Sequence, residues 1–340
     1  MNKKALVAMS GGVDSSVCAY LAQKAGYECI GVTMKLCEKD INSNDAKDAA
    51  KVCALLGMEH IVLDCRDEFK TRVIDDFVDT YEKGKTPNPC IVCNRYLKFG
   101  LLWQKAVEMG CDTIITGHYA RIDGGFLKKA KDTKKDQSYV LYPIDRKLLS
   151  HIYFPLGELT KEEVREIAER EGFVTARKSD SQDICFVPDG DYASVICRYS
   201  GRTYPEGDFA DTDGNVLGKH KGIIRYTVGQ RKGLGIAFGK PMYVKGKDVD
   251  KNRVILAENE ELFQRDVSVS DFNLLKDINE KSVRAKAKVR YNQTEQDATV
   301  YFGENRTAEI VFDSPQRAVA PGQSAVVYDG DTVIGGGIID

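Results

Sequence analysis

The chain has 340 residues, 42% hydrophobic and 29% charged, with a net charge of -2. Such a length fits two or three domains, and no apolar run nears the roughly 18 residues a membrane span requires. The near-neutral charge excludes a nucleic-acid binder that relies on bulk positive charge, so any such partner must be met by local patches. The start, Met1-Asn2-Lys3-Lys4, leaves no room for a signal peptide before the first apolar run. The chain is therefore expected in the cytoplasm, with its ten cysteines reduced, catalytic or metal-binding rather than a disulfide framework.

Ala5–Met9 reads as a buried parallel strand, and Ser16–Ala22 belongs to a helix closed by Gly26. Between them stands Ser10-Gly11-Gly12-Val13-Asp14-Ser15. A Gly-Gly turn lets backbone N–H groups approach an anion, the helix N-terminus adds positive potential, and Ser10, Ser15 and Ser16 add hydroxyls. This is a phosphate cradle. No GxxxxGK[ST] occurs, so the lysine of the kinase-type loop is missing. The SGGxDS pattern resembles the loop of the N-type ATP pyrophosphatases, which implies cleavage of ATP between its α and β phosphates.

Further strands fit Glu28–Met34, His60–Asp64 and Asp112–Thr116. Helices fit Asp14–Ala25, Asp45–Leu56, Asp67–Glu82 and Asn94–Met109, with Gly57 and Gly110 as C-terminal stops. The alternation predicts a doubly wound parallel sheet with ligand at the carboxyl ends of its strands. One more helix fits Thr160–Glu171, with Thr160 as N-cap. After about Asp189, short β-branched runs replace helices: Ile223–Tyr226, Met242–Val244, Val254–Leu256, Val283–Tyr291, Ala298–Phe302, Ala308–Phe312 and Ser324–Tyr328. These predict small β barrels or sandwiches, and acidic Glu258–Glu261 marks a boundary between two β modules.

Thr86-Pro87-Asn88-Pro89-Cys90-Ile91-Val92-Cys93-Asn94 places a C-x-x-C in a proline-stiffened loop. At the N-terminus of a helix starting at Asn94, its thiols are expected to have lowered pKa values. Ser181-Gln182-Asp183-Ile184-Cys185-Phe186 holds a third thiol in a polar turn. Cys18, Cys29, Cys53, Cys65 and Cys111 read as small core hydrophobes. His118, in Gly117–Arg121 after a strand, lies where such sheets bind ligands. Between Gly218 and Arg253 ten Lys/Arg face two Asp, and Lys281–Arg290 holds five basic residues and no acid. In that last segment Arg284, Lys286, Lys288 and Arg290 alternate with apolar residues, a candidate phosphate track or an ordinary solvated face.

Together these residues make the chain similar to the tRNA-specific 2-thiouridylase family. The resemblance runs through Met9–Ser16, Thr33–Lys35, Thr86–Pro89, Cys93-Asn94, Lys98-Phe99, Gly117–Arg121, Asp136–Tyr139 and Ser181–Phe186. It continues in Thr227–Gly235, Arg290-Tyr291, Pro315–Val319, Pro321–Gln323 and Gly335–Gly337. It implies three parts: an adenine-nucleotide-hydrolase-like ATP pyrophosphatase domain over 1–193, a small central domain over 194–260 and a C-terminal β barrel over 261–340. It implies that Ala8, Met9, Ser10, Gly11, Gly12, Val13, Asp14, Ser15, Met34 and Gly117 hold ATP with Mg²⁺. Asn88, Pro89 and Cys90 would meet the target base; His118, Lys135, Asp136, Gln137, Arg290, Tyr291 and Gln323 would contact tRNA. Cys185 would carry a persulfide and Cys93 would be its partner, with Asp14 needed for adenylation. The implied substrates are the tRNAs for Lys, Glu and Gln, and the implied sulfur source is a cysteine desulfurase or a relay protein acting on a monomer.

Cys90 departs from the family, where Asp is common. It is then either a bystander, or a ligand with Cys93 and Cys185 of a [4Fe–4S] cluster. Competing readings are an ammonia-using synthetase, a non-catalytic tRNA-binding homologue and a uridine-4 thiolase; the paired cysteines, the intact phosphate loop and the missing N-terminal RNA-binding extension argue against them in turn.

Overall fold

The computed structural model describes residues 3–37, 44–178, 184–187, 190–236 and 239–340. By contacts the chain divides into two compact units: residues 1–73, 90–182 and 331–333, and residues 74–89, 183–330 and 334–340.

In the first unit, β1 (Lys4–Ala8) buries Ala5, Leu6 and Val7 completely. An unbroken apolar run suits a strand covered on both faces. Ala5, Val7 and Met9 pack into one core with α1 (Val13–Lys24); Leu6 packs into another with Ile30, Val32, Leu102 and Ile114. The strands β2 (Glu28–Lys35), β3 (Glu59–Asp64) and β4 (Thr113–Ile115), with Ile152–Tyr153, complete a parallel sheet. Its order is β3-β2-β1-β4 and then Ile152–Tyr153. The order reverses between β1 and β4, so the loops leaving them open a crevice at the carboxyl edge. The last strand is only two residues long and left no periodicity to read.

Two helical stretches differ from expectation. The one over 66–82 contains a π turn at Lys70–Ile74. The other begins at Pro89, five residues before the expected start, and runs through a π segment, Asn94–Leu101, to Glu108. Proline suits a first helical position because its missing N–H would have no partner there.

The second unit opens its central part with a helix, Tyr192–Ser200, where β structure was expected. Asp191 caps it by accepting from Ser194 N at 3.1 Å, and Gly201 ends it at φ +66°. Ile223–Arg225 is a 3₁₀ turn rather than a strand. A four-stranded sheet follows in the order Tyr243–Asp248, Arg253–Ala257, Gly207–Ala210, Val216–His220. The C-terminal strands pair in the order Phe263–Leu274, Ala308–Arg317, Gln296–Phe302, Ser282–Lys288, Ser324–Asp329, Thr332–Ile339, and Leu274 pairs back to Gly335, closing a barrel. Its interior is Val267, Val269, Ala298, Val300, Ile310 and Val327 with their neighbours.

Candidate active site

The loop 9–12 leaves β1 at the sheet crevice, and Ser10 and Ser15 tie it together. Ser10 N donates to Ser15 Oγ at 3.2 Å, Ser15 Oγ donates to Gly12 O at 3.1 Å, and Ser16 Oγ donates to the same carbonyl at 2.9 Å. Gly11 has φ +73°, and a Cβ there would strike Asp45 O at 2.2 Å. A Cβ on Gly117 would stand 3.2–3.3 Å from Asp14 C and O and Ser15 N. Glycine thus eases a close approach of the β4 loop to the start of α1. No side chain caps α1, which leaves its first N–H groups for a ligand. Met9 is buried beneath the loop, and Met34 is half-buried on the neighbouring strand.

Two lysines, invisible to motif reading, reach this loop from elsewhere in the same unit. Lys161, 6% exposed, donates to Asp14 Oδ1 at 2.7 Å, and Tyr119 Oη donates to the same oxygen at 2.9 Å. Lys178 Nζ donates to Gly11 O at 2.9 Å and to Asp45 Oδ1 at 3.0 Å. Tertiary structure thus brings two cations to the loop, Lys161 paired with Asp14 and Lys178 with Asp45 and Asp48. A signal did exist: Lys161 is the first residue of helix Lys161–Arg170, where the helix dipole disfavours a cation.

The helix from Pro89 carries Cys90 exposed and Cys93 buried, one turn apart. The expected lowering of their pKa values is not what the structure gives. Because the helix starts at Pro89, Cys93 lies inside it rather than at its end, and burial raises both thiols while the Lys98 ammonium pulls them down. His118 is buried between Phe99 and Phe154, with ring centroids at 5.9 Å from each. Its Nδ1 lies 2.7 Å from Thr116 Oγ1 and its Nε2 lies 3.3 Å from Lys98 Nζ. Burial holds His118 well below its usual pKa, so the ring is neutral. An ammonium can only donate, so Nε2 accepts from Lys98 and Nδ1–H donates to Thr116. A tRNA contact by His118 would have to exchange one of these partners.

The five cysteines read as core residues are all buried, and burial raises each, Cys65 to about 12. Asp136 accepts from Ala130 N and Ser138 Oγ, and Gln137 Oε1 accepts from Tyr119 N, so both side chains also fasten their own loop. Lys135 is half-buried beside them.

In the second unit Cys185 is exposed on a turn closed by Val187 N donating to Ile184 O. Buried Phe186 anchors that turn edge-on against Phe77 at 5.2 Å. Ser181, Gln182 and Asp183 lie outside the described residues. Asn88 and Pro89 end the segment that Gln323 holds through the carbonyls of Thr86 and Pro87. Arg290 donates to Val228 O and Ala318 O, while Tyr291 beside it is exposed. The all-basic strand face does not survive folding. Arg284 pairs with Asp313, Lys286 lies 4.0 Å from Asp297, and Lys288 is buried against Tyr328. Among the described residues no three His, Cys, Asp or Glu side chains gather as a metal site.

Comparisons with known proteins cover the whole chain. Residues 3–189 match a family described as tRNA methyl transferase HUP domain. Residues 193–258 match its PRC-barrel domain, and residues 264–339 match an aminomethyltransferase beta-barrel domain. A protein of Clostridioides difficile named tRNA-specific 2-thiouridylase MnmA is 47% identical, covering 100% of this chain and 99% of its own. Proteins of the same name from Acetivibrio thermocellus and Clostridium acetobutylicum are 48% and 45% identical, covering at least 99% of each chain.

Proposed function

This chain belongs to the tRNA-specific 2-thiouridylase family, and from that premise we propose that it uses ATP to replace the C2 oxygen of a tRNA wobble uridine by sulfur. The observation that carries the reading is the full-length identity joined to an intact phosphate loop fed by Lys161 and Lys178.

A uridine C2 oxygen is a poor leaving group. Its attack on the α-phosphate of ATP makes it part of AMP and releases pyrophosphate. The N–H groups at the start of α1 and the Lys161 ammonium stabilise the charge that develops there. Asp14 Oδ2 has no partner among the described residues and is the hard oxygen donor Mg²⁺ takes, so the site fits that ion. When bound with ATP, Mg²⁺ supplies neutralisation of the phosphates. A sulfur donor, a desulfurase or a relay protein, loads Cys185 as a persulfide. Cys93 then attacks the Cys185 sulfur, forming a disulfide and freeing hydrosulfide. Hydrosulfide adds at C2 and AMP leaves with the original oxygen; a thiol reductant restores Cys93 and Cys185. The tRNAs for Lys, Glu and Gln are the substrates of this reading, and the enzyme acts as a cytoplasmic monomer. Among the described residues, no helix is long and apolar enough to cross a membrane.

The test is incubation with tRNA, ATP, Mg²⁺ and a persulfide donor, followed by nucleoside mass spectrometry and nucleotide analysis. The expected products are 2-thiouridine, AMP and pyrophosphate. ADP as the main nucleotide, or ATP consumption without tRNA, would overturn the reading.

A further inference from the structure

The phosphate loop is held from β2 and β3 by side chains that lie outside its own motif. The β1–β2 register ends at Ala8 and Val32, and Met9 N donates to Val32 O at 2.8 Å just beyond it. The carbonyl of the same residue accepts from Thr33 Oγ1 at 2.7 Å. Thr33 is buried, and its Oγ1 also lies 2.9 Å from His60 Nε2. His60 is half-buried on β3, which β2 separates from β1.

The hydrogens available put these contacts in order. A hydroxyl has one hydrogen and a carbonyl can only accept, so the Thr33 hydrogen goes to Met9 O. His60 Nε2 must then carry the hydrogen of the second contact and donate it to Thr33 Oγ1. Burial holds the His60 pKa below its usual value, so near neutral pH the ring has a single N–H, and it is on Nε2.

The same direction continues into the loop. The Met9–Ser10 peptide is planar, so fixing Met9 O turns Ser10 N–H to the opposite side. There Ser10 N donates to Ser15 Oγ at 3.2 Å, and Ser15 Oγ donates to Gly12 O at 3.1 Å. The bonds from His60 Nε2 to Gly12 O thus all point one way, and in such a chain each bond polarises the next. All of these residues belong to the first unit.

Resting on the reading of this loop as the ATP-phosphate site, we infer that Thr33 and His60 are positioning residues for adenylation. They fix the Met9 carbonyl, and through it the direction of the loop N–H groups that meet the charge developing on the phosphates. Donors already aimed at that charge need no reorganisation as it forms, so a loss of aim is felt in the transition state more than in ATP binding.

The test compares the full-length protein with Thr33→Val, Thr33→Ser, His60→Leu and His60→Gln. Valine removes only the hydroxyl, and glutamine keeps an N–H donor at the end of a side chain of similar reach. AMP formation is followed in single turnovers with saturating tRNA and Mg²⁺ over a range of ATP concentrations, alongside melting temperature. Thr33→Val is expected to lower the maximal rate about tenfold, as for one lost hydrogen bond, with the half-saturating ATP concentration changed less than about threefold. Thr33→Ser should stay within about threefold of the parent rate. His60→Leu should slow the step about fivefold, and His60→Gln should recover to within about twofold. Nitrogen-15 NMR of the parent, with His60→Gln identifying the signal, should show the His60 hydrogen on Nε2.

Thr33→Val forming AMP at the parent rate would overturn the proposal, as would a loss that serine does not restore. His60→Leu at the parent rate, or a hydrogen on Nδ1 instead of Nε2, would remove His60 from the chain. If the parent forms no AMP with tRNA present, the functional reading fails, and the NMR measurement still decides whether the chain of hydrogen bonds exists.

Discussion

At the scale of residues, the site is decided by a few partners that act over long sequence separations. Lys161 and Asp14 are 147 positions apart and share a 2.7 Å ion pair. Lys161→Met should therefore stop AMP formation while leaving Cys185 able to accept sulfur from a donor. It should also lower unfolding free energy by about 1.5–3 kcal/mol, as for a lost charged hydrogen bond, measurable by urea titration. An active Lys161→Met would show that the α1 N–H groups suffice for the phosphates. The thiols make a second prediction. Burial raises Cys93, so its thiolate fraction near neutral pH is small and grows as pH rises. Single-turnover sulfur transfer should speed up between pH 7 and 9 while adenylation changes little. Cys93→Ala and Cys185→Ala should abolish transfer, and Cys90→Ala should retain it in iron-free protein. Loss in Cys90→Ala as complete as in Cys93→Ala, together with bound iron and sulfide, would instead favour the three-thiol cluster.

At the scale of elements, charge on a strand has to be judged with its neighbours. Lys286 pairs across the sheet with Asp297, and Arg284 reaches Asp313, so the basic row of Ser282–Lys288 is largely neutralised. The central module behaves alike: Lys219, Lys240, Lys245 and Lys251 each have an acidic partner. Exposed pairs of this kind contribute little to stability, but they occupy the charge. Replacing Arg284 and Lys286 together by alanine is thus expected to leave the slope of log affinity for tRNA against log salt within about 0.5 of the parent. A slope shallower by about 1.5 would mean that both residues track phosphates after all, since each released counterion contributes close to one unit.

At the scale of the whole molecule, a net charge of -2 gives tRNA no general attraction. Binding must come from those local cations that remain unspent. With about six phosphates contacted, affinity should drop on the order of 10³-fold between 50 and 200 mM salt. Filter binding or fluorescence anisotropy across that range would measure it, and a change under tenfold would mean that base and loop contacts dominate instead.

How much of this was legible beforehand depends on the range of the interactions involved. The apolar run Ala5–Met9, the Ser-Gly-Gly turn and the helix after it are set by local sterics and by the need to bury a central strand, so the nucleotide crevice could be read directly. The family resemblance put Gly117 there too, and in the structure a Cβ on it would stand only 3.2–3.3 Å from the backbone of Asp14 and Ser15. The π segment after Cys93 and the early start at Pro89 were not legible, and they turned an expected activated thiol into a buried one. Side-chain chemistry at the site was the least legible part. Lys161 and Lys178 reach the phosphate loop, Gln323 reaches Thr86, and the strand cations find carboxylates, all by contacts between segments far apart in the chain. Sequence alone determined the fold class, the loop and the reactive residue types, because those follow from local periodicity and motif chemistry. Tertiary structure alone decided which cations stay available and which thiol is covered, because burial and pairing exist only once distant segments meet.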